Sequence, residues 1–272
     1  MIGKRMRLSK IINVSTNRTF IVPMDHGVTM GPIDGLTNTI HSAKMIIEGG
    51  ADAVILHKGA LMELSNYPEL LKKCNFILHL SASTNMSKNS NQKHIVSSVE
   101  MALKMGAMGV SAHVNLGTDN DGDMISDLGR LSDACLDWGM PLIAMMYVRG
   151  ENLDSMDMKN IAHAAKVAEE LGADIVKVNA PHCPSDIEGI VHSVGIPVVV
   201  SGGPKTSDSE ILAHVDAVLK AGASGVSIGR NIFQSARPRK LASIIYNMVH
   251  NNMSYKDAML SMSDDFSLSK IY

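Results

Sequence analysis

Cysteine is scarce in this chain. The three residues present, Cys74, Cys135 and Cys183, lie far apart and form no Cys-x-x-Cys pair. An odd, scattered set gives no disulfide framework, so a reducing cytosol is the expected compartment. Charge of either sign is not in excess: 25 Lys and Arg against 27 Asp and Glu leave a formal net charge of −2. Nothing there suggests nucleic acid, and no acidic tail suggests a basic partner. No apolar run is long enough to span a bilayer, and no h-region of a signal peptide follows the basic start Met1 to Arg7. The expectation is a cytoplasmic protein without a membrane partner. A Gly-x-Gly-x-x-Gly opening a helix after the first strand is also missing, which counts against a doubly wound nucleotide-binding sheet.

What the chain does have is the composition of an ordinary globular protein, 45% hydrophobic and 19% charged over 272 residues. Its 20 methionines suit adaptable core filling. Short apolar runs alternate with amphipathic stretches. Strands are predicted at Phe20 to Met24, Ala53 to His57, Phe76 to Ser81, Gly109 to Asn115, Leu142 to Tyr147, Asp174 to Asn179, Pro197 to Ser201 and Gly225 to Gly229. Helices are predicted at Thr37 to Glu48, His94 to Met105, Asp123 to Trp138, Met158 to Leu171, Pro184 to Ser193, Asp208 to Ala221 and Pro238 to Asn251. The connection at Lys72 to Cys74 is expected to hold only a turn.

One phrase recurs. Glu48-Gly49-Gly50-Ala51-Asp52, Lys104-Met105-Gly106-Ala107-Met108, Glu170-Leu171-Gly172-Ala173-Asp174 and Lys220-Ala221-Gly222-Ala223-Ser224 each end a helix at a glycine and turn straight into a strand. Repetition of one βα unit, with no linker between units, predicts an α/β fold: a single (β/α)8 TIM barrel over residues 1–272. Residues 1–17 and 252–272 are read as short extensions of it. The segment from Lys256 to Tyr272 is open between a terminal helix, an oligomer contact and a tail.

In a barrel, chemistry gathers at the C-terminal ends of the strands. Lys177 stands out there, in the apolar run Ile175-Val176-Lys177-Val178. A cation rarely belongs in a buried strand, and burial disfavours the ammonium form of a lysine. A neutral lysine is a nucleophile that forms Schiff bases with carbonyl carbons. The competing reading is a strand-end lysine whose head reaches water. Gly202-Gly203 and Gly229-Arg230 follow the seventh and eighth strands, where barrels bind phosphate through backbone N–H groups, with Arg230 as a charged clamp. Asp25 ends the first strand, suited to proton transfer or to holding hydroxyls, or else to capping a turn. Tyr147 is either a general acid or an amphipathic core tyrosine. Lys58 and Lys205 sit at loop edges as anion partners. His26, His57, His79 and His113 all fall at strand ends and could in principle surround a Zn²⁺, but their spacing matches no metal motif, so no metal and no cofactor is expected.

Met24-Asp25-His26-Gly27, His57-Lys58-Gly59, Tyr147-Val148-Arg149-Gly150, Ile175-Val176-Lys177, Gly202-Gly203-Pro204-Lys205 and Gly229-Arg230-Asn231-Ile232-Phe233 together resemble the archaeal-type class I (Schiff-base) aldolase family. The resemblance runs from about Phe20 to His250. It is strongest to the branch of 2-amino-3,7-dideoxy-D-threo-hept-6-ulosonate synthases, above all over Trp138 to Tyr147. It implies Lys177 as Schiff-base lysine, Tyr147 as proton donor and Asp25 as proton acceptor. It implies a phosphosugar held by Asp25, His26, Gly27, Val28, Thr29, Tyr147, Val148, Arg149, Gly202, Gly203, Gly229 and Arg230, with His57, Lys58 and Lys205 in support. The implied reaction joins a three-carbon unit from a ketose phosphate to L-aspartate semialdehyde, on a route to aromatic amino acids. The alternatives are condensation of dihydroxyacetone phosphate with the same aldehyde, fructose-bisphosphate cleavage, and a non-catalytic phosphosugar-binding barrel. A homo-oligomer is expected. The chain departs from the family where Val148 replaces a proline, where Ala82-Ser83 replace a glycine pair, and where Val178-Asn179 replace a threonine and an aromatic.

Overall fold

Eight parallel strands close into a barrel in the computed structural model, which describes residues 1–263. They are β1 (Thr19–Pro23), β2 (Ala53–Leu56), β3 (Asn75–His79), β4 (Gly109–Leu116), β5 (Leu142–Val148), β6 (Ile175–Val178), β7 (Val198–Ser201) and β8 (Gly225–Ser227). Each pairs with the next in sequence, and β8 returns to β1 through Thr19↔Gly225 and Ile21↔Ser227. All eight fall within the runs predicted from sequence, give or take a residue at the ends. The alternation of outer helices with strands is as expected, and among the described residues no helix is long and apolar enough to cross a membrane.

Two cores result from the twofold side-chain alternation of a strand. Outward residues such as Val22, Val54, Leu78, Val176 and Val200 pack under the helices. Inward residues fill the barrel: Ile21, Ala53, Ile55, Ile77, Ile143, Met145, Ile175 and Val199. In the recurring phrase Gly50, Gly106, Gly172 and Gly222 all have positive φ, from 74° to 95°, which is the conformation that turns each helix back into its strand. Asp52 and Asp174, two residues past that glycine, accept hydrogen bonds from Phe20 N (2.6 Å) and Leu142 N (2.8 Å) on the adjoining strand.

Three segments differ from the sequence reading. The first residues are not outside the fold: Ile2–Ile11 is a helix whose end stoppers the bottom of the barrel. Ile11 is fully buried in the inner core with Leu8 and Ile12 against it, and Thr19 Oγ1 donates to Ile11 O at 2.7 Å. Arg7 donates to Gly139 O (2.8 Å), and Lys4 pairs with Asp174 (2.9 Å). Its apolar residues, Ile2, Met6, Leu8 and Ile11, are scattered among Lys4, Arg5, Arg7 and Lys10 and form no single stripe, so the sequence offered no amphipathic signal. Second, the helix expected from His94 begins only at Val99, capped by Ser98. His94–Ile95 instead pairs antiparallel with Ser81–Ala82. Third, two short helices, Lys58–Leu64 and Pro68–Leu71, precede the turn at Lys72 to Cys74. Tyr255–Ser263 is a helix, with Ala258 and Met262 buried; the rest of the C-terminal segment lies outside the described residues.

The β1–β8 seam is closely packed at Gly225. A Cβ on Gly225, at φ 138°, would lie 1.9 Å from Thr19 O. Gly129 lies inside the helix Asp121–Trp138 with nothing within 4 Å of its Cβ position. Gly225→Ala is therefore expected to lower stability by more than about 3 kcal/mol. Gly129→Ala should raise it by roughly 1 kcal/mol, because alanine is the better helix former. Chemical denaturation of the two variants checks the pair; equal effects would be inconsistent with the closed seam.

Candidate active site

Continuing the inward alternation one step above the apolar layers places polar side chains in the mouth. Ile175 is followed by Lys177, Met145 by Tyr147, Ile77 by His79 and Ile55 by His57 on the same faces. Lys177 is paired in register with Met145 on one side and Val199 on the other. Only 6% of it is exposed. Among the described residues its Nζ forms no hydrogen bond or ion pair.

Two chambers open there and share four residues, His26, His113, Tyr147 and Lys177. The larger, about 420 Å³, is walled by Gly202, Gly203, Gly229, Arg230 and Arg149, with Asn179 and Ser201 below them. Arg230 Nη2 donates to Gly203 O (3.2 Å), and Asn231 Nδ2 donates to Gly202 O (2.9 Å) and Pro204 O (3.0 Å). These bonds lock the two glycine-rich loops together beside the larger chamber. The smaller chamber, about 160 Å³, is walled by Asp25, Thr29, His57, His79, Ser81, Ser83 and Lys93. Arg149 Cζ stands 5.2 Å from the Tyr147 ring centroid, and the His113 ring is 4.6 Å away.

The residues expected at the site are thus not all in one place. Lys177, Tyr147, Asp25, His26, Thr29, Arg149, Gly202, Gly203, Gly229 and Arg230 surround the two chambers. Gly27 and Val28 instead line a neighbouring apolar groove with Lys58, whose Nζ donates to Val96 O at 3.1 Å. That groove adjoins the small chamber through Asp25, His57, His79 and Ala82. Val148 is buried in the outer core. Lys205 turns to Thr206 O (2.7 Å) and Asp208 (3.7 Å). Lys93 had no role in the sequence reading. It has no motif around it, and only the Ser81–Ala82 and His94–Ile95 pairing folds its loop back over the mouth.

Electrostatics divides the small chamber sharply. Burial pushes the Asp25 carboxyl up, but in the acid range where it titrates the protonated His79 and His26, with Lys177 and His57, prevail and hold it well below the usual carboxylate range. His79 Nε2 is 3.4 Å from Asp25 Oδ2 and His26 Nδ1 3.5 Å from Oδ1. Burial brings His79 down from 6.5 to about 4, with Asp25 opposing. Its Nδ1 lies 2.8 Å from Ser111 Oγ. Burial also lowers His26, His57 and His113. The imidazoles are neutral at pH 7. Among the described residues no group of three or more His, Cys, Asp or Glu is placed to hold a metal ion.

Because the unfolded chain protonates such histidines first, their contribution to stability is complete above about pH 6.5 and is lost as pH falls toward the folded value of about 4. The melting temperature should therefore fall across that window, and His79→Asn should lessen the fall. Thermal melts at about pH 7 and about pH 4.5 check it; a variant that loses as much as the parent would remove His79 as a source.

The architecture has close counterparts. A model of the DeoC/LacD family aldolases matches residues 19–235. A 2-amino-3,7-dideoxy-D-threo-hept-6-ulosonate synthase 1 of Archaeoglobus fulgidus is 41% identical over 261 residues, 95% of each chain. A 2-amino-4,5-dihydroxy-6-oxo-7-(phosphonooxy)heptanoate synthase of Streptomyces griseus is 40% identical over 252 residues, 92% of this chain and 91% of that one. Among solved structures, an archaeal fructose-1,6-bisphosphate aldolase with its catalytic lysine covalently bound to the carbinolamine intermediate superimposes with a TM-score of 0.82. It is 27% identical, over 91% of this chain and 99% of that one. With the family model covering most of the barrel and these relatives matched almost end to end, the chain belongs to the DeoC/LacD aldolase family.

Proposed function

We propose that this protein is a class I aldolase-type synthase. In this reading it joins a three-carbon unit from a ketose phosphate to L-aspartate semialdehyde through an imine on Lys177. The observation that carries the reading is the position of Lys177: buried, unpaired, and shared by a chamber lined with glycine backbone and arginines and a chamber lined with a carboxylate and neutral imidazoles. The first suits a phosphate, by charge-assisted hydrogen bonds from Arg149 and Arg230 and by loop N–H groups. Lys177 is then within reach of the ketone that the phosphate anchors.

The Lys177 amine attacks the ketone carbon as one of its protons passes to the ketone oxygen, giving a carbinolamine; its hydroxyl takes a further proton and leaves as water, and a protonated imine remains. That cation is an electron sink. Cleavage of the adjoining C–C bond, or loss of a proton from the adjoining carbon, leaves an enamine on the lysine. The enamine carbon attacks the aldehyde carbon of the acceptor, the aldehyde oxygen takes a proton, and water releases the product. Tyr147, in both chambers, is placed to move protons at the oxygen atoms. Asp25, a carboxylate in the small chamber beside Lys177, is placed to accept a proton, and its negative charge favours the iminium.

Two donors fit the reading. With 6-deoxy-5-ketofructose 1-phosphate the phosphate leaves with the first fragment, and the seven-carbon product is phosphate-free. The Archaeoglobus relative, with its dideoxyheptulosonate product, favours this donor. With dihydroxyacetone phosphate the phosphate is retained, and the Streptomyces relative, with a phosphonooxy product in its name, favours that one. Incubating the purified protein with L-aspartate semialdehyde and each donor, followed by mass spectrometry, separates them. We expect one seven-carbon 2-amino keto acid, with the phosphate-free form favoured. No product from either donor would refute the reading.

A further inference from the structure

Among the described residues, Lys93 is the one lysine besides Lys177 in the wall of the small chamber. Its placement is built by the loop after β3. Ser81–Ala82 pairs with His94–Ile95, and this hairpin turns the intervening residues over the barrel mouth. The loop is tied down at several points: Asn85 N donates to Thr29 O (3.0 Å), Asn115 Nδ2 to Asn91 O (2.6 Å), and Asn120 Nδ2 to Gln92 Oε1 (2.7 Å). Lys93 itself is half-buried. Its Nζ donates to Ser83 Oγ (2.5 Å) and to Ser90 O (3.3 Å). An ammonium has three donors, so one remains for a ligand.

From this geometry we infer that Lys93 is the anchor for a carboxylate on the acceptor aldehyde, and so selects anionic aldehydes over neutral ones. The inference rests on the synthase reading above and deepens it by assigning the second substrate's site. The large chamber takes the phosphate, because only there do Arg149, Arg230 and the glycine loops converge. The small one, about 160 Å³, has room for a four-carbon chain but lacks that anion cradle. A single ammonium is a point charge suited to one carboxylate. The acceptor must enter with its aldehyde toward Lys177, because the new C–C bond forms on the enamine carried there. Its far end then meets Lys93. The anion Asp25 shares the chamber and would repel a carboxylate, but it lies against His79 and His26, 3.4 and 3.5 Å away, so the carboxylate end is expected on the Lys93 side of the chamber.

The competing role for Lys93 is only to hold its own loop through Ser83 and Ser90. The two roles separate in acceptor kinetics. For the parent enzyme, kcat/KM should favour L-aspartate semialdehyde over 3-aminopropanal, which lacks the carboxylate, by about 30-fold or more, the range of a charge-assisted hydrogen bond. In Lys93→Met, KM for L-aspartate semialdehyde should rise about tenfold or more with a much smaller change in kcat, and the preference should shrink toward unity. Lys93→Arg should restore part of it. A loop-holding lysine would instead weaken both acceptors equally, and that result would overturn the inference. So would a parent enzyme indifferent to the carboxylate, a test that does not require the variant to fold. If the parent makes no product from L-aspartate semialdehyde with either donor, the synthase reading itself fails, which is a distinguishable outcome.

Discussion

Side-chain alternation in a closed barrel is the constraint on which everything else depends. Once eight strands close, every second residue must point inward, and the lower layers are filled by Ile21, Ile55, Ile77, Ile143, Ile175 and Val199. The next inward residue has nowhere to go except the mouth. Lys177 is therefore delivered to its place by the same apolar steps that build the barrel. A shift of β6 by one residue would exchange Lys177 for a valine in the mouth and drive the ammonium under the helices. The helix Ile2–Ile11 completes this arrangement at the opposite end, where Ile11 is buried in the inner core with Leu8 and Ile12 against it.

The charges in the mouth are organised around that lysine. Asp25 stays anionic because its carboxyl loses its proton at lower pH than the histidines around it, and the imidazoles stay neutral because they are buried. The small chamber thus offers one negative charge, Lys93 and a set of uncharged hydrogen-bonding groups. The large chamber offers Arg149, Arg230 and the glycine loops. An imine formed at the boundary gains a counter-charge on one side and a held phosphate on the other. Neither chamber alone supplies both, which is why the residues the two share, Tyr147 and Lys177 among them, matter most.

Much of this was legible in the sequence, because barrel strands are short apolar runs and the phrase around Gly50, Gly106, Gly172 and Gly222 repeats at each helix-to-strand turn. The polar residues at strand ends could be named for the same reason. What could not be read depends on long-range closure. Lys93 lies well past β3 and reaches the mouth only through a hairpin of two-residue strands too short to leave a pattern. Residues 1–11 carry no helical amphipathic period, so their role as a stopper was invisible. Lys58 looked like a loop-edge cation but opens a helix and is spent on Val96 O. Val28, five residues after β1, sits in the short helix His26–Met30 and lines the apolar groove rather than the phosphate loops.

The most direct test of the central claim is covalent trapping. The protein would be incubated with each ketose phosphate, reduced with sodium borohydride, and analysed by intact mass and peptide mapping. Reduction should add the mass of one donor-derived fragment as a secondary amine, on the peptide carrying Lys177. An adduct on another lysine, or turnover that proceeds with no trappable adduct, would mean that the chemistry does not pass through Lys177.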